Sequence, residues 1–497
     1  VRVQDIESLH EATKAIEETI AEIKVAISKP SFELSTPRNL DTQLATLLPA
    51  LEQRYGVKIQ DVTTDYQIDR DKLFTRVFLL SKPYGSKTME RRVILTNTPS
   101  FLKYAIGSTK DVILNGGAYI DGNMYAGENA YITNVANYID NSQKYIEQTS
   151  FPTASKTSVF FVNGNSYSCD HQNGASACYT FSNHTFERVK ANFSPGFRFQ
   201  SQSPSVQKEK EEFIDVDFEW TVKDKLLNAA GIRTFSDEYE SHIQKSVEQL
   251  INDLENRFTI FDSMPSLLAH IDSTNQSVLL QSNDSSLFFL DRGELDLQDK
   301  WLIVNGDLFL GNSVNEPTKV QGNIIVLGNL TISGDIQLDS TIYVLGRTLV
   351  YNANIAGWNN KEVVLLSKGP LEIARINEFE NNFSFEQPNL KGYFYTDSNA
   401  VLYAVGSYIN IQGGLFARGN ELESAPDSDV SGLVINAYRG AATKQGGLIS
   451  FIPPSSPDQT EESRLVIRHD PNVLIDRGEG LPFVKKLSLV VDKLIVK

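Results

Sequence analysis

Apolar residues recur at two different spacings along the chain, and the change of spacing divides it. Between residues 5 and 28, Ile6, Leu9, Ile16, Ile20, Ile23 and Ile27 fall largely at three- and four-residue steps, which predicts one amphipathic helix. Asp5 and Glu7 suit its N-terminus, and Pro30 ends it. The stripe is narrow and the opposite face is charged, which fits a helix lying on a sheet or one continuing outward from a membrane anchor. Residues 40–56 predict a second helix. Strands are expected at 57–64, 72–81 and 90–98, the last two separated by KPYGSK, a hairpin-type connection. Residues 1–110 therefore read as helix plus antiparallel sheet, an α+β module.

The spacing then shortens. In DVILNGGAYIDGNMYAG, residues 111–127, Gly116 and Gly122 stand six apart, and Ile113, Tyr119 and Tyr125 supply alternating apolar content. The same rhythm returns after Trp301, with Gly322, Gly328, Gly334 and Gly346 on a six-residue grid and Ser340 in the missing slot. Between the grid points Ile324, Val326, Ile332, Ile336, Leu338, Ile342 and Val344 stand mostly two apart, a strand signal. Short strands with small corner residues predict a parallel β-solenoid of about 18 residues per coil, stacked so that coils share one core. On this reading the fold is mainly β with α+β parts. Residues 111–134 are the first coil, 135–300 an inserted α+β domain, and 301–497 the remaining solenoid with a C-terminal cap. Ile113 and Ile324 should share a core. The alternative is two unrelated glycine-rich hairpins.

Within 135–300, residues 134–148 read as helical, and SVFFVNGNSYS and ACYTFSN as two strands. FIDVDFEW reads as a half-exposed strand that turns Asp215, Asp217 and Glu219 to one face, and 236–258 as a helix with a Ser N-cap. The 204–213 stretch is the best linker. The closing KKLSLVVDKLIVK is expected to cap an open coil edge, since bare edges invite polymerisation.

Composition narrows the partners. The chain has 497 residues, with 46 Lys+Arg against 62 Asp+Glu and a net charge of −16. That balance argues against a phosphate-backbone partner, which a basic face would have to bind, so no nucleic acid is expected. Its two cysteines, Cys169 and Cys178, flank a turn-prone QNGAS. A local disulfide in an oxidising compartment is the expectation, and two reduced thiols the alternative. No apolar run is long enough to span a bilayer. The sequence begins with Val1, which leaves room for a membrane segment before it.

Standard nucleotide, zinc-protease, nucleophile-elbow and EF-hand motifs are absent, and the six histidines are scattered. No catalytic residue, metal site or cofactor is implied. Two acidic groups are candidates. Asp215, Asp217 and Glu219, on one strand face, would bind a cation or supply a raised carboxylate for acid catalysis. Asp427 and Asp429, in PDSDVSG, would offer oxygen ligands to Ca²⁺.

SFLKYAIGSTKDVILNGGAYIDGNMYAG, GYFYTDSNAVLYAVGSYINIQGGLFARG and LVIRHDPNVLIDRGEGLP resemble segments of PilX-like, type IV pilus-associated proteins of bacteria. The coil pattern is also similar to polymer-forming bactofilin repeats. The resemblance covers about residues 95–130 and 300–485. It implies a non-enzymatic, extracellular protein, anchored to the cell surface through a segment before Val1, with other pilus or envelope proteins and surface glycans as partners. A secreted β-helix enzyme acting on polysaccharides is the alternative from another class, and a filament-forming scaffold a third.

Overall fold

A computed structural model describes residues 2–32, 34–172, 178–201, 203–312, 315–420 and 424–497. The chain forms two compact units: residues 1–103 with 213–216 and 471–497, and residues 104–212 with 217–470.

In the first unit the helical stripe forms Arg2–Ser28. A second helix, Pro37–Tyr55, begins at Thr36, whose hydroxyl accepts from the Asn39 N–H, and ends at Gly56 in a left-handed conformation. Ala12, Ile16, Ile20, Ile23 and Ile27 pack with Leu40, Leu44 and Leu51 over Phe78, Leu80, Val93 and Leu95 of a four-stranded antiparallel sheet. Its order is Lys58–Asp61, Arg76–Tyr84, Lys87–Thr96, Ser488–Val496. The last strand corrects an expectation. The C-terminal segment does not cap the coils; it pairs with Lys87–Thr96, placing Val490 opposite Ile94. A run of β-branched residues joins any free edge of matching register, and sequence does not say which edge.

The second unit is wound. Ile324 pairs in parallel with Ile342, Leu330 with Thr348 and Ile106 with Met124, turns of the expected length, and one hydrogen bond there joins residues 18 apart. Other turns are longer, with hydrogen bonds between successive coils joining residues 22, 24 and 36 apart. The inward column can be followed across one face: Val278, Leu302, Ile324, Ile342, Leu365, Phe394, Leu415, Ile106, Met124, Phe160. All ten belong to one continuous apolar core, as a parallel β-solenoid requires.

Spatial order is not chain order in this column. Leu415 stacks on Ile106, Val434 on Ile113 and Ile467 on Ile120. The chain therefore enters the stack in its interior at Ile106 and winds outward to Ser205–Gln207. It leaves through the helices Phe218–Ala229, Asp237–His242 and Val247–Leu254, and restarts at Thr259–Phe261. From there it winds back until it meets its own beginning. The shaft ends are plugged, one by Met264, Leu267 and Ile271 and the other by Phe197 and Phe199, with Phe197 5.6 Å from Phe160.

Three expectations fail here. Residues 135–300 are not a separate insertion: Thr153–Ala154, Val159–Val162 and Ser166–Cys169 stack directly on the preceding coil. Ile113, Tyr119 and Tyr125 are one position out of phase. Val112, Leu114, Ile120 and Met124 face the shaft, and Ile113 packs in a separate outer cluster. A one-residue slip turns every side chain to the other face, and here both faces are apolar enough to mislead. The 236–258 helix breaks at Ser246, where a capping box with Gln249 starts a new helix.

Glycine marks where coils approach most closely. The Gly328 N–H donates to the Gly306 carbonyl and the Gly346 N–H to the Gly328 carbonyl, each at 2.9 Å. A Cβ on Gly346 would lie 2.7 Å from the Gly328 oxygen. The residue after the glycine often carries the next link: Asp307 Oδ1 accepts from the Asn329 N–H at 2.7 Å, and Asn329 Oδ1 from the Arg347 N–H at 2.9 Å.

Candidate functional site

Residues 134–148, expected to be helical, form a hairpin of Val135–Asp140 and Gln143–Gln148. Its two-residue turn places Asn141 and Ser142 at φ 48° and 67°, the geometry of a tight hairpin loop. Alternation then sorts the side chains. Val135 and Ile146 pack into the outer cluster with Ile113, Val401 and Val434. Ala136, Tyr138, Tyr145 and Glu147 share the opposite face, since Tyr145 pairs with Tyr138 and Glu147 with Ala136.

That face meets a second hairpin, Ala441–Gln445 with Leu448–Ile452. The Tyr145 and Tyr138 rings are 5.1 Å apart, Tyr138 and Phe451 5.5 Å, and Phe451 and Tyr438 4.7 Å. Four rings thus run in an unbroken row. Lys444 Nζ lies 2.9 Å from Asp140 Oδ1 and links the two hairpins.

Beside this row opens a cavity of about 500 Å³. Phe151, Tyr438, Pro453, Pro454 and Pro457 form its apolar walls, and Glu147, Asp170, Arg198, Gln200 and Arg439 are among its polar lining. Most of that polarity is already engaged. Arg439, fully buried, donates to Ser463 Oγ at 2.9 Å, the Pro457 carbonyl at 2.7 Å, the Gly117 carbonyl at 3.2 Å and Thr153 Oγ1 at 3.0 Å. Burial lowers its pKa to about 10, so it stays charged at neutral pH and ties coil corners to the cavity floor. Asp170 accepts from Asn134 Nδ2 at 2.8 Å and from Arg198 Nη1 at 2.7 Å. The Arg198 guanidinium lies 4.5 Å from the Phe151 ring centroid. Gln200 Nε2 donates to Asp458 Oδ1 at 2.8 Å.

Glu147 is the exception. Among the described residues its carboxylate has neither hydrogen bond nor ion pair, and burial alone raises its pKa. The Tyr138 and Tyr438 hydroxyls are pushed up to about 12, first by burial and then by the Glu147 charge. The carboxylate therefore sits within electrostatic reach of both rings.

The acids singled out from sequence are elsewhere. Asp215, Asp217 and Glu219 do not lie on a strand. Asp217 is the N-cap of Phe218–Ala229, its carboxylate accepting from the Trp220 N–H at 3.1 Å, and Glu219 stands in the first helical turn. The alternation that suggested a strand was the acid-rich start of a helix. Asp215 is exposed in the segment before it. Asp427 and Asp429 each face a cation, Lys144 at 3.5 Å and Arg188 at 3.4 Å. Among the described residues no three His, Cys, Asp or Glu side chains gather as a metal site.

Cys169 and Cys178 are joined in a disulfide. It ties the coil strand Ser166–Cys169 to the hairpin Tyr179–Ser182 with Thr185–Arg188. Residues 173–177 between them lie outside the described residues. Tyr179 is fully buried, and its hydroxyl donates to Asn115 Oδ1 at 2.7 Å.

Glu147, Tyr138 and Tyr145 escape the sequence reading because a helical period over 134–148 puts them on the wrong faces, and Phe451 and Tyr438 reach them only through contacts between distant segments. Asn-Ser between two alternating runs was the available signal.

No family model matches the chain, and no curated protein matches it. Among solved structures, the competence-associated pilin ComZ from Thermus thermophilus is similar at a TM-score of 0.24 and 11% identity, over 85% of this chain and 81% of that chain. A likeness that loose does not itself bear on fold or role.

Proposed function

We propose that the protein is a non-enzymatic, type IV pilus-associated protein of the bacterial surface, whose first unit engages other pilus or envelope proteins. The observation that carries this reading is the first unit's helix. Ile16, Ile20, Ile23 and Ile27 are buried on the sheet, whereas Val3 and Ile6 are 69% and 66% exposed. Apolar side chains bare on the first turns suit packing against neighbouring helices. A disulfide between the only two cysteines suits an oxidising, extracellular setting. Among the described residues no helix is long and apolar enough to cross a membrane.

The test is to fractionate cells that make the protein and shear their pili. The protein should co-sediment with the pilus fraction, and Ile6→Asp should release it. Equal recovery from cells unable to assemble pili would overturn the association. Release of reducing sugar from any polysaccharide in a panel would overturn the non-enzymatic half and favour the carbohydrate-active alternative.

A further inference from the structure

We propose that the cavity beside the two hairpins binds an organic ammonium group carried on an apolar stem, with Glu147 as its counter-ion and Tyr438 and the prolines as its walls. The inference goes beyond the pilus reading and stands independently of it.

The charges present in the cavity decide the sign of the ligand. Arg439 spends its donors on carbonyls and hydroxyls of the floor. Arg198 and Asp170 are paired at 2.7 Å. Glu147 is left as a half-buried carboxylate with no partner among the described residues. An anionic ligand would find no guanidinium without a partner and would be repelled by Glu147. A cation restores the charge balance that burial disturbs.

The surroundings decide what kind of cation. A divalent ion needs several oxygen ligands. Glu147 offers one carboxylate, and both oxygens of Asp170 already accept hydrogen bonds, from Asn134 on one side and from Arg198 and Gln172 on the other. Aromatic faces, by contrast, favour ammonium ions held within about 6 Å of a ring centroid. Glu147 shares its hairpin face with Tyr138 and Tyr145, and Tyr438 lines the cavity beside it. An N–H-bearing ammonium donates to the carboxylate while its methylenes cover Pro453 and Pro454. The volume, about 500 Å³, lies within the range of pockets that hold small ligands. A lysine side chain and a de-acetylated amino sugar both carry this chemistry.

Calorimetric titration of the full chain separates these sources and tests the claim. The probes are Nα-acetyl-lysine methylamide and glucosamine disaccharide, each against its N-acetylated, uncharged form. One or both charged probes should bind at concentrations up to about 10 mM, and acetylation should weaken binding roughly tenfold or more. Whichever charged probe binds names the source. Glu147→Gln should weaken binding by about the same factor. Failure of both charged probes to bind, or equal binding of charged and acetylated forms, overturns the proposal, and neither result depends on a variant that folds. So does a folded Glu147→Gln variant that binds as the unaltered protein does.

Discussion

A single added methyl group tests the winding most sharply. A Cβ on Gly328 would stand 2.1 Å from Asp307 Oδ1 and 2.6 Å from the Gly306 carbonyl oxygen. Gly328→Ala must push two coils apart and is expected to cost about 1–3 kcal/mol, read as a fall in the denaturation midpoint. Glu147 makes a prediction of the opposite sign. Burial holds its carboxyl above the ordinary 4.5, so the native state binds its proton more tightly than the unfolded chain does. Its contribution to stability is present at pH below the unfolded value and is lost as pH rises through the folded one. Glu147→Gln should therefore melt higher than the unaltered protein at pH 7 and equally near pH 3. A lower melting temperature at pH 7 would mean that the carboxylate has a stabilising partner.

Paired elements behave as cooperative pieces. The Ser488–Val496 strand completes the first sheet, with Leu489 and Val490 buried. Val490→Asp places an unpaired carboxylate there and is expected to cost roughly 3–5 kcal/mol. Hydrogen exchange should quicken across 76–96 and leave the coils near Ile342 protected. Loss of protection in both units together would show that they unfold as one. The disulfide closes a sequence separation of 9 residues, so reducing it should lower stability by about 2–3 kcal/mol. The loss should centre on the Tyr179–Ser182 hairpin and leave the inward column intact. Helix periodicity and the strands of the first sheet were legible in the sequence because one face of each is apolar and the other is not. The 134–148 hairpin was not, because its two faces pack on different apolar clusters and the alternation blurs.

For the wound unit as a whole the decisive question is what closes its ends. Leu267 and Phe197 plug opposite ends of the shaft. Leu267→Asp or Phe197→Asp should expose a coil edge and yield oligomers in sedimentation velocity at micromolar concentration, with the unaltered chain remaining a monomer. Polymers of the unaltered chain would favour the scaffold reading instead. The repeat itself was legible in the chain: glycine at six-residue steps with apolar residues two apart suits a winding coil, because coil backbones this close exclude a Cβ, although the same pattern also left glycine-rich hairpins open. Sequence alone thus determined the winding, the helix-on-sheet module and the pair of cysteines, but an 18-residue coil holds in only some turns, with others running 22 to 36 residues. Tertiary structure decided which edge each segment joined. Parallel coils present equivalent edges above and below, so nothing local tells residues 409–467 to stack on residues 106–120, or the last strand to leave the coils. The inward phase of the first coil and the meeting of Glu147 with Tyr438 have the same origin, for they depend on contacts between segments some three hundred residues apart, which no local pattern records.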